Sequence, residues 1–244
     1  MRVEIWSDVV CPWCYIGKRR FETALAGFAH REQVEVVWRS FELDPGAPQE
    51  RRGDYAVLLS TKYGVPVEQG QQMIDTMTAA AAADGLDFHF ERARVGNTFD
   101  AHRLLHLAHE RGVQDALKER LLHATFTDGE PIGDHETLVR LAVEAGLDPE
   151  QARVVLGSDR FAAEVRADQA QAKAYGISGV PFFVIDGKYG VSGAQPAAAL
   201  AEVLATAWAE HQPLTLVTAG AAASAGTTGP GCDGDSCALP SSTA

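Results

Sequence analysis

The sequence predicts an α/β fold: a small sheet interrupted by a large all-helical insertion and followed by a flexible C-terminal tail. Three observations carry this reading. The opening stretch to Leu43 alternates a strand-like run, a helix-periodic run and a second strand-like run, the order of a βαβ unit. From about Asp54 to Gln171 the chain turns Ala- and Leu-rich, with turn residues at intervals, which reads as a succession of helices. Late in the chain two short extended runs flank Asp186-Gly187, the pattern of a tight hairpin. The α/β part is therefore discontinuous, residues 1–50 and 172–217, with residues 51–171 as the helical insertion domain and residues 218–244 as the tail.

In chain order, Val3 to Trp6 reads as a strand, and CPWCYIGKRRFETALAGF places Tyr15, Phe21, Leu25 and Phe28 at helical spacing. Val34 to Leu43 is β-branched and aromatic, and stops at Asp44, Pro45 and Pro48, a second strand running into a loop. Within the insertion, helices are expected over residues 55–63, 68–84, 98–110, 113–126, 135–145 and 161–174, separated by Gly64–Pro66, Gly96-Asn97, Asp128–Gly133 and Gly146–Pro149. A last helix runs from Gln195 to about His211. Beyond Val217 almost no large apolar side chain remains, so the segment cannot offset its own ordering entropy.

Charge narrows the function classes. The 244 residues carry 33 acidic and 21 basic side chains, a net charge of -12, which repels nucleic acid and an anionic membrane surface. No run approaches the roughly 20 apolar residues of a membrane span. The start, MRVEIWSDVV, carries Arg2, Glu4 and Asp8 and lacks the apolar core of a secretory signal. The expectation is a cytoplasmic protein, where thiols are kept reduced, so its four cysteines need a reason other than stapling.

Cys11-Pro12-Trp13-Cys14 sits where a strand meets a helix. Unpaired N–H groups and the positive end of the helix dipole there favour a thiolate, which points to Cys11 as the nucleophile. Pro12 suits the first helical position, and Cys14 is near enough to resolve a mixed disulfide formed on Cys11. Half of a zinc knuckle or two inert buried cysteines are the competing readings; the strand, the proline and the reducing setting favour redox chemistry. Asp8 could accept a proton near Cys11 or be an ordinary loop aspartate. Trp13 and Tyr15 line a substrate groove or pack in the core, and Lys18-Arg19-Arg20 reads as a solvated helix face. Asn97 reads as a helix cap, with Asp100 three residues on. His102, His106 and His109 share that helix's face without a carboxylate or cysteine evidently aimed at them, so no metal site is expected. Gly179-Val180-Pro181 precedes the apolar FFVI; on local grounds alone the proline bond would be trans.

The CPWC between strand and helix, the Val180-Pro181 before the late hairpin and the helical insertion between them resemble the DsbA-like branch of the thioredoxin superfamily. Within it, SDVVCPWCYIGKRRFE and NTFDAHRLLHLA resemble FrnE-type proteins, which share a fold with 2-hydroxychromene-2-carboxylate isomerases and kappa-class glutathione transferases. The resemblance spans Met1 to about His211. It implies a cis bond at Pro181 facing the cysteines, with Val180 offering backbone groups to an extended substrate beside Pro12 and Trp13. It also implies that Asn97 and His102 lie near the cysteine face.

The implied activity is thiol–disulfide exchange without a bound cofactor, on thiol- or disulfide-containing proteins or small molecules, with glutathione or the thioredoxin system as redox partner. The glutathione-dependent relatives carry serine where this chain has Cys11, which weakens, without removing, an isomerase or transferase reading on an aromatic small molecule. A zinc-binding interaction module is a third reading. In the tail, Cys232-Asp233-Gly234-Asp235-Ser236-Cys237 can close a local disulfide through the turn at Gly234. FrnE-like proteins share such a second pair, so Cys232 and Cys237 are expected to relay electrons; zinc binding or an idle tail are the alternatives.

Overall fold

The alternation along the first strand sets the architecture of the computed structural model, which describes residues 1–51 and 53–211. Strand β1 (Arg2–Ser7) turns Val3 and Ile5 to one face of the sheet and Glu4 and Trp6 to the other. It pairs in parallel with β2 (Glu35–Ser40) and antiparallel with β3 (Phe182–Ile185), whose hairpin partner is β4 (Tyr189–Ser192), giving the order β2-β1-β3-β4. The β3–β4 turn has positive φ at both Asp186 (50°) and Gly187 (64°), as a two-residue hairpin that follows strand twist requires.

On the first face, Val3, Ile5, Trp38, Phe183 and Ile185 pack with Phe21 and Ala24 of α1 (Pro12–Ala26) and Leu200, Leu204 and Ala207 of α9 (Ala197–Glu210). On the second, Trp6 and Val184 pack with Ile177 and with Ala172 of α8 (Ala162–Ala174). The Trp6 indole N–H donates to the Asp168 carbonyl at 2.9 Å. The Asp168 carboxylate accepts from the Ser40 N–H at 2.9 Å and from Arg39 at 3.1 Å, and lies 3.2 Å from His106 Nε2. These polar contacts pin α8 and the helix carrying His106 to β2.

Between β2 and β3 the described elements are helical: α2 (Tyr55–Tyr63), α3 (Val67–Ala83), α4 (Phe99–Glu110), α5 (Gln114–His123) with a π turn at Ala124–Asp128, α6 (His135–Glu144), α7 (Pro149–Leu156) and α8. Helix α7 lies outside the expected set. Gly146–Pro149 reads as punctuation, yet the Asp148 side chain accepts from Gln151 N–H and Pro149 takes the first turn, a start signal rather than a stop. The helix expected over 113–126 ends early, and the π turn takes up its last residues.

Helix α1 is buried on two sides. Phe21 and Ala24 face the sheet, while Tyr15 and Ile16 pack with Met77, Ala81, Phe88, Leu122 and Phe126 of the insertion. A separate apolar cluster joins α4 to α7 and reaches Val9, two residues before Cys11. The first turn of α1 is therefore held from both the sheet and the insertion. Among the described residues no helix is long and apolar enough to cross a membrane. The tail expectation, with Cys232 and Cys237, lies outside the described residues.

Candidate active site

Cys11 caps α1 in an extended conformation (φ -99°, ψ 111°), with no side-chain hydrogen bond closing the helix end and Pro12 in the first turn. Its own N–H donates to the Asp8 carbonyl at 3.4 Å, and the Cys14 N–H donates to the Cys11 carbonyl at 3.0 Å. Both thiols are free. Cys11 keeps 5% exposure where Cys14 keeps none, so only the first can be approached. Trp13, at 37%, is the exposed aromatic beside it.

The Val180–Pro181 bond is cis, as the resemblance implies, and the Val180 carbonyl lies 3.5 Å from Cys11 Sγ. Close approach here depends on Gly17: a Cβ at that position would stand 2.8 Å from Pro181 Cγ. An apolar cavity of about 80 Å³ opens beside Val10, lined by Leu43, Tyr55, Leu58, Leu59 and Val95 among others.

Asp8 is fully buried. Its carboxylate accepts from the Val9 N–H at 2.8 Å and the Leu43 N–H at 2.7 Å, and lies 3.2 Å from His102 Nε2. Burial disfavours its charge, but the hydrogen bond and charge of His102, the Leu43 N–H and Lys118 outweigh it and hold the carboxyl below its usual range. The burial that sequence alone cannot show is thus present. His102, also buried, leaves its Nδ1 without a hydrogen-bond partner. His102 therefore reaches the cysteine face through Asp8. Asn97 does not: its Oδ1 accepts from the Phe99 N–H at 3.0 Å and its Nδ2 lies 3.4 Å from the Pro45 and Ala47 carbonyls. The cap position of α4 is Thr98, which makes no side-chain cap bond, so Asn97 stands one residue before it, accepts the first helical N–H and braces the loop after β2.

The structure decides one open reading and corrects one expectation. Tyr15 is buried, its hydroxyl donating to Glu119 at 2.7 Å and its ring stacked on Phe88 at 5.8 Å, so it packs rather than lines a groove. Lys18-Arg19-Arg20 is not a solvated face: Lys18 is buried and pairs with Glu22, Glu119 and Asp115, Arg19 pairs with Glu22 and Glu119, and Arg20 with Asp84. The acids of α5, Asp115 and Glu119, draw Lys18 and Arg19 inward, and Asp84 at the end of α3 holds Arg20.

The buried cation against the loop that leads into the cysteines is Lys118 of α5, which the sequence reading missed. It is fully buried, with Nζ 3.3 Å from the Ser7 carbonyl. Its spacing from Gln114, Leu121 and Leu122 places it on the buried stripe of α5, and that pattern is the signal that could have found it. Burial pushes its pKa down to about 8, against the pull of Cys14, Asp8 and Cys11.

The two thiols compete for one negative charge. Burial opposes ionisation of Cys14, but a hydrogen bond from Cys11 and the Lys118 ammonium outweigh it and bring Cys14 down. That same hydrogen bond to Cys14, with burial, pushes Cys11 up. These directions run against the helix end, which favours charge on Cys11, so the reduced pair holds one charge between its two sulfurs. Among the described residues no group of three or more His, Cys, Asp or Glu side chains is arranged to hold a metal.

Residues 2–205 match the family model of the DSBA-like thioredoxin domain. A probable DsbA oxidoreductase of Streptomyces coelicolor is 50% identical, with a TM-score of 0.84 over 99% of this chain and 100% of that one. An uncharacterized protein of Bacillus subtilis, YwbO, is 31% identical over 189 residues, 76% of this chain and 86% of that protein. A 2-hydroxychromene-2-carboxylate isomerase shares the fold at 13% identity, with a TM-score of 0.59 over 86% of this chain and 97% of that one.

Proposed function

Because the chain belongs to the DSBA-like thioredoxin domain family, we propose that it is a thiol–disulfide oxidoreductase working through Cys11 and Cys14. The observation that supports this most directly is the asymmetry of the pair: Cys11 is the approachable sulfur at an open helix end, and Cys14 is sealed behind it. In the reducing direction the shared proton passes from Cys11 to Cys14 as substrate arrives. Cys11 thiolate then attacks one sulfur of a substrate disulfide, and the other leaves with the electron pair. Cys14 afterwards attacks Cys11, closing the Cys11–Cys14 bond and releasing the substrate as a thiolate. The exposed Trp13 beside Pro12 and the backbone of Val180 and Pro181 offer an extended substrate its docking edge. Asp8, fixed by His102, holds the charge balance beneath the pair.

No bound cofactor enters this reading, and glutathione or the thioredoxin system serves as redox partner in a cytoplasmic setting. The isomerase likeness, at 13% identity, speaks for the fold alone. A cysteine rather than a hydroxyl at position 11 favours exchange over activation of a bound thiol. Cys232 and Cys237 form, in the same proposal, a second dithiol that exchanges with Cys11.

Turnover of insulin disulfides with dithiothreitol, set beside glutathione-dependent conversion of a chromene substrate, tests the reading. Insulin reduction is expected, falling at least about 100-fold in Cys11→Ser. Chromene conversion by the parent protein, or an unchanged insulin rate in Cys11→Ser, would overturn it. A chain ending at residue 218 should turn over more slowly; an equal rate removes the relay from the proposal.

A further inference from the structure

Two lysines are fully buried in the described structure, and they are held in opposite ways. Lys18 is surrounded by the carboxylates of Glu22, Glu119 and Asp115. Lys118 has no carboxylate within ion-pair distance among the described residues; it has the Ser7 carbonyl at 3.3 Å and the Trp38 ring at 5.5 Å. An ammonium removed from water without a paired anion is costly, and Leu117, Leu121 and Leu122 on the same buried side of α5 show that an apolar side chain suits the surroundings. The negative charges that act on it are, in order, those of Cys14, Asp8 and Cys11. Its nearest polar partner, Ser7, leads directly into Asp8, whose carbonyl accepts from the Cys11 N–H at 3.4 Å.

We propose that Lys118, a residue of the helical insertion, is the positioning cation of the resolving step: with substrate joined to Cys11, its ammonium is the countercharge that lets the sealed Cys14 become a thiolate. The inference rests on the exchange reading above and names a residue that acts through Cys14. In that step the Cys14 proton goes to the first substrate thiolate released. The Cys14 electron pair forms the bond to Cys11, the bond between Cys11 and substrate breaks, and the second substrate sulfur leaves as a thiolate. The groups facing Lys118 are Asp8 from the loop after β1, Cys11, Cys14 and the opposing cation Lys18 from α1, and the uncharged Trp38 ring from β2. Helix α4 enters through His102, which bonds Asp8, and on α5 itself Asp115 and Glu119 are taken up by Lys18.

The test mixes reduced full-length chain, carrying Cys232→Ser and Cys237→Ser so that two thiols remain, with one equivalent of dithiobis(nitrobenzoate). The first nitrothiobenzoate released reports attack by Cys11, and the second, released at a rate independent of concentration, reports resolution by Cys14. In Lys118→Met and Lys118→Gln the second phase should slow at least about tenfold at neutral pH, with its alkaline midpoint raised by about one unit or more. The first phase should change less. Both variants resolving with the parent's midpoint would overturn the role of Lys118, whereas a parent protein showing no second phase would overturn the Cys11–Cys14 reading itself.

Discussion

At the scale of single residues, the site is a balance of charges kept out of water. Asp8 stays ionised because two backbone N–H groups and His102 replace its lost solvent, and the inner thiol is lowered by a neighbouring thiol and by Lys118. Lys118 bears the cost. Its folded-state pKa of about 8 lies below its ordinary 10.5. Below pH 8 both folded and unfolded chains carry the proton, and the burial penalty is borne in full. Between about 8 and 10.5 the unfolded chain binds a proton that the folded chain has released, so this group's contribution to stability rises with pH. Lys118→Met should therefore be more stable than the parent at pH 7, and that advantage, up to about 3 kcal/mol, should shrink as pH rises through the window. Urea unfolding of both proteins at pH 7 and pH 9.5 checks it; a gap that stays constant or widens would contradict the account. Of these residues, Cys11 and Cys14 were legible because spacing and neighbours announce their chemistry, whereas Pro181 was legible only through the family resemblance. The sequence leaves Asp8 between two readings, reaches His102 only through the resemblance and misses Lys118, because all three act through burial, which composition does not reveal.

At the scale of elements, α5 carries more of the site than its composition suggests. Its first residue, Gln114, caps the outer edge of the sheet: the side-chain oxygen accepts from the Trp38 N–H at 3.0 Å and the side-chain nitrogen donates to the Trp38 carbonyl at 2.9 Å. Asp115 accepts from the Trp38 indole at 3.0 Å. An edge strand with unpaired backbone is thereby closed by a helix, and one turn later the same helix delivers Lys118. Gln114→Leu should strip partners from two buried backbone groups and lower stability by about 2–4 kcal/mol, read as a lower urea midpoint with the slope unchanged. A loss below about 0.5 kcal/mol would show that the strand edge is satisfied otherwise. The α5 helix was legible from its leucines. Its docking was not, since glutamine and lysine on a helix ordinarily read as the wet side. Helix α7 was missed for a related reason, because Asp148-Pro149 both ends a turn and begins a helix.

At the scale of the whole molecule, the βαβ opening, the late hairpin and the long helical run were enough to place a sheet with an insertion, since period and turn chemistry survive in a single sequence. What single-sequence reading could not supply is how the insertion and sheet share α1: Phe21 turns to one and Ile16 to the other, and that shared helix is what brings Cys11, Val180 and Lys118 into one site. The central claim is that this site exchanges disulfides by attack from Cys11 and resolution by Cys14. The most direct measurement incubates full-length Cys14→Ser and Cys11→Ser proteins with a disulfide-bearing protein substrate and maps the trapped mixed disulfides by mass spectrometry. The account predicts adducts on Cys11 in the Cys14→Ser protein and none on Cys14 in the Cys11→Ser protein. Trapping on Cys14 at an equal rate would contradict it.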